Sequence, residues 1–528
     1  MFPSAHIDTF CRENLPPIES WPQLNQEFNS RYPERLNACV ELLDNTIAEF
    51  GGDRRAIIAA EGELSYNELL AKVCQVANLM REKGIVPGNR VLLRGPNNAS
   101  LAILWLAILR IGAVAVTTIP LQRAVELEKI VEIAFVEYAF IDHRYMEEWE
   151  LTTNLSAQSF IYGNGDGFIE SAASQPSTCT PCDTASDDVS ILAFTSGSTG
   201  IPKATMNFHR DILAIADTFS AEILKPTSDD LFAGTPPLAF TFGLGGSLIF
   251  PLRVGASTLL LEGATPPVLL EKIAEYKVSV LFTAPTAYRA MLKVGKPELA
   301  ISLRRCVSAG EHLPESTWHA WYEATGMKLI DGIGSTEMLH IFISASDGEI
   351  KPGMTGKPVP GYEAIIVDED FMELPAGATG FLAVRGPTGC RYLNDKRQSV
   401  YSVNGWNVTG DLYLEDEDGY FKYLSRSDDM IISSGYNIAA PEVENALLTH
   451  PAVAEVAVVG EADDERGMLV VAYVVLNREY AGSPELIKEM QDHVKAKIAP
   501  FKYPRKINFV DMLPKTTTGK LQRFRLKN

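Results

Sequence analysis

Positive charge is in short supply in this chain. Its 47 lysines and arginines face 67 aspartates and glutamates, a formal balance of −20 at pH 7. Such an acidic balance argues against nucleic acid as the main partner, because phosphate-backbone binding draws on clustered Lys and Arg. It leaves room for a small anion held by local cations and backbone amides. Cysteine is scarce too: seven in 528 residues, at positions 11, 39, 74, 179, 182, 306 and 390. The odd number and irregular spacing argue against a disulfide framework and lead us to expect reduced thiols and a cytoplasmic protein. The lone CxxC, Cys179-Thr180-Pro181-Cys182, has no second pair and sits in a Ser/Thr/Pro-rich stretch. It reads as an inert loop before a zinc or redox site. The N-terminus, "MFPSAHIDTFCRENLPP", has no basic segment followed by an apolar one, so no signal peptide is expected. One run, "LAILWLAILRIGAVAVTTIP" (101–120), resembles a membrane span. Arg110 interrupts it, Gly112 follows, and the second half turns β-branched. A buried helix, a turn and a buried strand fit better.

What is present is an ordinary globular mixture, 46% hydrophobic and 22% charged. The length exceeds what one core supports, so at least two domains are expected. Ser65 and Glu68 have capping-box spacing before "LLAKVCQVANLMREKG". After Pro87-Gly88 comes "RVLLRG", a buried strand. Helix-then-strand returns at "PPVLLEKIAEYKVSVLFTAP" (266–285). This is α/β layering with mainly parallel sheets. Beyond about residue 350 the pattern turns to strands and hairpins, one of them around Asp418-Gly419. After Asp428-Asp429 a compact α/β tail follows, with Pro441 suited to a first helical position. The expected division is 1–425 and 426–528.

Among residues that can do chemistry, "ILAFTSGSTGIPK" (191–203) stands out. A strand entering Thr195-Ser196-Gly197-Ser198-Thr199-Gly200 offers unobstructed backbone N–H groups and hydroxyl donors, with Lys203 as a cation. The glycines are three apart and Lys203 precedes Ala204, so the Walker pattern fails. From composition alone, a surface turn and a phosphate loop are equally open.

The stretch resembles the phosphate loop of the adenylate-forming superfamily, which includes acyl- and aryl-CoA synthetases. Four more stretches match that family in its order: "DGIGSTEM" (331–338), "TGDLY" (409–413), "SRSDDMIISSGYNIAAPEVE" (425–444) and "PKTTTGKLQR" (514–523). The resemblance implies a multi-domain α/β fold, with a large adenylation domain and a small mobile C-terminal domain. It also implies ATP, Mg2+ and CoA as reactants and cofactor, and activation of a carboxylic acid as acyl-AMP. In the same reading Glu337 carries Mg2+, and Thr336 donates to the α-phosphate. Asp411 accepts the ribose hydroxyls, and Arg426 reaches the ribose or phosphates. Gly310, Glu311, Asp331, Gly332 and Ile333 resemble adenine-pocket segments, with Ile333 where many members have Tyr. Lys520 is the adenylation lysine, Asp428 the hinge, and Gly435 with Tyr436 the CoA tunnel. Such cations and fixed donors lower a barrier at which negative charge gathers on phosphate oxygens.

The acid is expected at Phe240, Thr241, Phe242, Tyr288, Gly334 and His340, where aromatic and aliphatic walls suit a flat ring. Each aromatic can equally be core, and His340 can equally be structural. "PLAFTFGLGG" and "DGIGSTEMLHIF" resemble the benzoate-CoA ligase group, and within it 2-aminobenzoate-CoA ligases. Two rival readings stand beside a CoA ligase: an enzyme loading a carrier-protein thiol, and an inactive adenylate-binding module. Expected partners are small molecules, with no nucleic acid or membrane, in a monomer or homodimer.

Overall fold

The computed structural model describes residues 1–152, 157–165, 167–195, 202–433, 436–463, 466–515 and 521–526; for Asp428, Tyr436, Asn437, Gly467 and Pro500 it describes the backbone alone. Among these residues the strands form four sheets. A six-stranded sheet runs Gln158–Tyr162, Tyr138–Asp142, Arg90–Arg94, Val114–Thr118, Val189–Thr195, Lys203–Phe208. Only its last pairing is antiparallel. A nine-stranded sheet has a parallel centre, from Leu329–Gly334 across to Arg55–Ala59, and antiparallel strands at both edges. Strands buried on both faces have no need to alternate polar and apolar residues. Arg90–Arg94 and Val114–Thr118 are accordingly buried at every position.

Helices fill the space between the two sheets, and one apolar core draws on both. Tyr66–Glu82 opens with the expected capping box between Ser65 and Glu68. Ala99–Arg110 is capped by the Asn98 side chain and has eleven of its twelve residues buried, so it is apolar on every side. Gly112, at φ +77°, turns the chain into Val114–Thr118. This is the helix, turn and strand expected for the apolar run. Arg110 is accommodated by a bidentate pair with Asp44, at 2.7 and 3.1 Å, which offsets the cost of burying its charge. No helix among the described residues is long and apolar enough to cross a membrane.

A third, antiparallel sheet contains the expected hairpins, including Trp406–Glu415 with Phe421–Arg426. A fourth spans Met430–Phe509, with helices Ala440–Leu448 and Pro484–Lys497 against it. Its core uses residues between Ile431 and Ile507 only. That local core is large enough to hold a small α/β unit together.

Candidate active site

The Thr/Ser/Gly stretch connects two antiparallel strands, and Thr195 pairs directly with Lys203 across them. The strands on either side are thus paired antiparallel, whereas a Walker loop leads from a strand into a helix. Ser196, Gly197, Ser198, Thr199 and Gly200 lie outside the described residues. Lys203 stands on the returning strand. Its Nζ donates to Tyr392 Oη at 2.7 Å and lies 3.5 Å from Glu337 Oε1. The ammonium also sits 4.6 Å from the centre of the Tyr392 ring.

Glu337 belongs to a tight turn, Thr336–Met338, that follows strand Leu329–Gly334. The Ser335 hydroxyl accepts from the Met338 N–H and caps the turn. Leu339, at φ +69°, reverses the chain into Ile341–Ser344; a left-handed leucine is costly and marks a site that its surroundings hold firmly. Tyr392 donates to Glu337 Oε1 at 2.6 Å, completing a Lys203–Tyr392–Glu337 chain. Tyr401 packs edge-on against Tyr392 and meets Ser335 Oγ at 3.2 Å. Burial and the neighbouring Glu337 carboxylate push the Tyr392 phenol far up, so it remains a donor. Tyr392 and Tyr401 escaped the sequence reading because nothing near "CRYLND" marks them; Tyr392 is 55 residues from Glu337 and 189 from Lys203.

A cavity of about 470 Å³ lies beside this turn, between the first three sheets' domain and the C-terminal sheet's helix and loops. Gly310, Glu311, Asp331, Gly332, Ile333 and Gly334 line one side, with Asp411 and Arg426. Thr336 and Glu337 follow Gly334 by two and three residues in the chain. Asp411 and Arg426 face each other on paired strands, with Arg426 Nη1 3.0 Å from Asp411 Oδ1. Gly410 turns at φ +75°, and a Cβ there would meet Arg426 Nη2 at 3.3 Å. Burial raises the Asp411 carboxyl against the opposing pull of Arg426. Burial also holds Asp331 well above the carboxylate range. Glu311 Oε2 accepts from the Thr286 hydroxyl at 2.5 Å, which fixes it at the rim. The opposite wall includes Glu444, Asn445, Lys515, Leu521 and Arg523. Asn445 Nδ2 is 3.1 Å from His312 Nε2, and the His312 ring stacks on Tyr423. Lys515 and Leu521 bracket the segment containing Lys520. Lys520 and Gly435 lie outside the described residues, as do the side chains of Asp428 and Tyr436.

Phe240, Thr241 and Phe242 are half-buried at the start of a segment that is helical through Arg253, with a widened turn over Gly245–Ile249. Widened helical turns concentrate at functional sites. His340 is packed by Phe219, Phe242, Phe250 and Phe282, with ring centres 4.6 to 6.3 Å away. Close approach requires glycine: a Cβ on Gly245 would meet the His340 ring at 2.5 Å, and one on Gly246 the Phe282 ring at 2.4 Å. Neither His340 nitrogen has a well-formed hydrogen bond among the described residues. Burial, opposed by the Phe242 backbone, lowers its pKa to about 3, so the imidazole is neutral. The structure corrects the expectation for Tyr288. That ring is fully buried on the other side of the nine-stranded sheet's core, edge-on to Trp321, with its hydroxyl donating to the Val307 carbonyl. A phenol needs one buried partner, and this one finds it in the core rather than at a ligand.

Among the described residues no three His, Cys, Asp or Glu side chains are arranged to hold a metal. Glu337 is a single carboxylate oriented by Tyr392. That arrangement fits a Mg2+ that arrives on phosphates, since such an ion keeps one or two carboxylates and fills its other positions with phosphate and water oxygens.

Two family models match the chain, the AMP-binding enzyme over residues 43–392 and the AMP-binding enzyme C-terminal domain over 442–520. The benzoate–CoA ligase of Thauera aromatica is 35% identical over 514 residues, covering 94% of this chain and 97% of that protein. The 3-hydroxybenzoate–CoA ligase of Aromatoleum sp. (strain CIB) is 33% identical over 517 residues, covering 94% and 98%. An anthranilate CoA ligase solved with anthranoyl-AMP superposes with a TM-score of 0.90 at 35% identity, covering 94% of this chain and 98% of that one.

Proposed function

The chain belongs to the AMP-binding enzyme family, and from that premise we propose that it is an ATP-dependent aryl-CoA ligase. It joins an aromatic carboxylic acid to AMP with release of pyrophosphate, then passes the acyl group to CoA. The observation that carries this reading is the cavity in which Asp411–Arg426, Gly310–Glu311 and Asp331–Gly334 converge, beside the Lys203–Tyr392–Glu337 chain. Relatives named for benzoate, 3-hydroxybenzoate and anthranilate favour an aryl acid over an alkyl one. Among aryl acids we favour 2-aminobenzoate, with benzoate next. A buried neutral His340 without a well-formed hydrogen bond among the described residues is costly by itself, and a polar ortho substituent would relieve that cost.

In the proposed mechanism Asp411 accepts the ribose hydroxyls and Arg426 supports it. The hairpin from Thr195 to Lys203 grips the β- and γ-phosphates. Thr336 donates to the α-phosphate, and Glu337 is the residue that would hold a Mg2+, which would neutralise phosphate charge. The acid lies against Phe240, Thr241, Phe242, Gly334 and His340. Its carboxylate oxygen attacks the α-phosphorus, the P–O bond to the β-phosphate breaks, and pyrophosphate leaves with the electron pair. Lys520 stabilises charge on the carboxylate and α-phosphate. Residues 426–528 then turn about Asp428, and Gly435 with Tyr436 lines the approach of CoA. The CoA sulfur attacks the acyl carbon and AMP departs.

The test separates the two half-reactions. Lys520→Ala is expected to cripple acid-dependent pyrophosphate release and largely spare thioester formation from supplied aroyl-AMP. Equal loss in both steps would refute the split role. A panel of benzoate, 2-aminobenzoate, hydroxybenzoates and short fatty acids ranks the acids. Failure to form any aroyl-CoA, with transfer to a carrier thiol instead, would overturn the ligase reading.

A further inference from the structure

Arg110 and the CxxC are left unused by this mechanism, and the structure brings them together. The segment 175–183 is strapped along helix Tyr66–Glu82. Asn78 Nδ2 donates to the Pro176 and Thr178 carbonyls, and Arg81 to that of Thr180. Arg110 Nε donates to Cys179 Sγ at 3.0 Å, while its Nη2 donates to the Cys179 carbonyl at 3.2 Å. Cys74, buried on the same helix, lies within interaction range of the Cys179 sulfur. Cys182 points elsewhere, its sulfur 2.7 Å from where a Cβ on Gly112 would lie. The CxxC therefore does not close on itself. Cys179 is half-buried, and Ser177, Thr178 and Thr180 around it are exposed, so a small reagent can reach it.

We propose that Cys179 is a site of oxidation by hydroperoxides, with Cys74 as its resolving thiol, giving an intramolecular disulfide that ties the 175–183 strap to helix Tyr66–Glu82. A thiolate is the reacting form. The neighbouring Cys74 thiol and the adjacent Arg110 guanidinium both favour the Cys179 thiolate, against partial burial. Its sulfur attacks one peroxide oxygen. An S–O bond forms, the O–O bond breaks, and the departing oxygen takes a proton to leave as water or alcohol. Cys179 is oxidised by two electrons to the sulfenic acid as the peroxide is reduced. Cys74 then attacks the sulfenic sulfur. The S–S bond forms, the S–O bond breaks, and hydroxide leaves with the Cys74 proton as water.

The experiment treats the full chain with equimolar hydrogen peroxide, blocks remaining thiols with N-ethylmaleimide and maps peptides without reduction. The expected product is a Cys74–Cys179 cross-link that dithiothreitol reverses. In Cys74→Ser, dimedone should trap a sulfenic acid at Cys179. In Cys182→Ser the cross-link should be unchanged. With iodoacetamide at pH 7, Cys179 should react on the order of tenfold faster than Cys182, its greater thiolate fraction partly offset by lower intrinsic nucleophilicity. A Cys179–Cys182 disulfide, equal labelling of the two, or recovery of Cys179 unoxidised would overturn the proposal.

Discussion

Replacing Tyr392 with Phe removes one oxygen from the centre of the candidate site. In the native chain that oxygen accepts from Lys203 at 2.7 Å and donates to Glu337 at 2.6 Å. Both bonds involve an ionised group, and such bonds contribute about 1.5–3 kcal/mol each. The loss is partly recovered, because Lys203 Nζ is already 3.5 Å from Glu337 Oε1 and can close on it directly. That closure is the damaging event: it turns two groups proposed to face phosphate into a pair facing each other. We expect a net loss of about 1.4–2.8 kcal/mol in the adenylation transition state, or roughly 10- to 100-fold in rate. The apparent Mg2+ requirement should rise as Glu337 loses its orientation. The assay is acid-dependent pyrophosphate release across a Mg2+ series, beside thioester formation from synthetic aroyl-AMP. The second reaction should stay within about threefold of the native rate. An unchanged Mg2+ dependence with equal loss in both half-reactions would refute the positioning argument and leave Tyr392 as a packing residue.

Three further outcomes follow from the same geometry. Asp411→Asn should raise the KM for ATP by about 10- to 100-fold, the loss of a charged acceptor for the ribose, and leave the ranking of acids intact; an unaltered KM would remove Asp411 from the nucleotide. Gly245→Ala should push the His340 ring aside, since the new carbon would meet it at 2.5 Å, and reorder the acid panel with little effect on ATP. The same order of preference would place His340 outside the acid pocket. Finally, His209 and His340 are buried with pKa values lowered to about 3, and the half-buried, cavity-lining His312 has its own lowered to about 4. Burial is the leading cause in each. The unfolded chain binds protons to these rings that the folded chain refuses. Stability is thus fully present above about pH 6.5 and falls as pH drops toward 3–4, with a slope approaching about 1.4 kcal/mol per unit for each ring. Thermal inactivation at pH 7 and pH 5 measures this, and His209→Gln should flatten the slope. A resistance to heat that is equal at both pH values contradicts it.

The sequence discloses elements whose cause is local. The Ser65–Glu68 capping box, the Gly112 turn and the helix opening at Pro484 are read from neighbouring letters and appear as expected, while Pro441 takes the second position of its helix and not the first. Long-range pairings are hidden. Arg110 looks like a flaw in an apolar helix until Asp44 arrives from 66 residues away. Tyr392 carries no local mark at all. Tyr288 shows a different limit: a helix of ten residues between a sheet and its neighbours has two apolar destinations, and composition does not say which face meets the ligand. The hairpin nature of the phosphate stretch was hidden for a related reason, because "KATMNF" alternates too weakly to announce a strand.

That hairpin separates two properties that a strand-to-helix phosphate loop joins. Lys203 is held by the ladder, opposite Thr195, and not by the loop it follows. Its place is therefore set by strand register. A one-residue slip would exchange the two faces of the strand, sending Lys203 to the side now taken by buried Ala204 and bringing that alanine to the side of Tyr392 and Glu337. The position of this charge is thus inherited with the sheet.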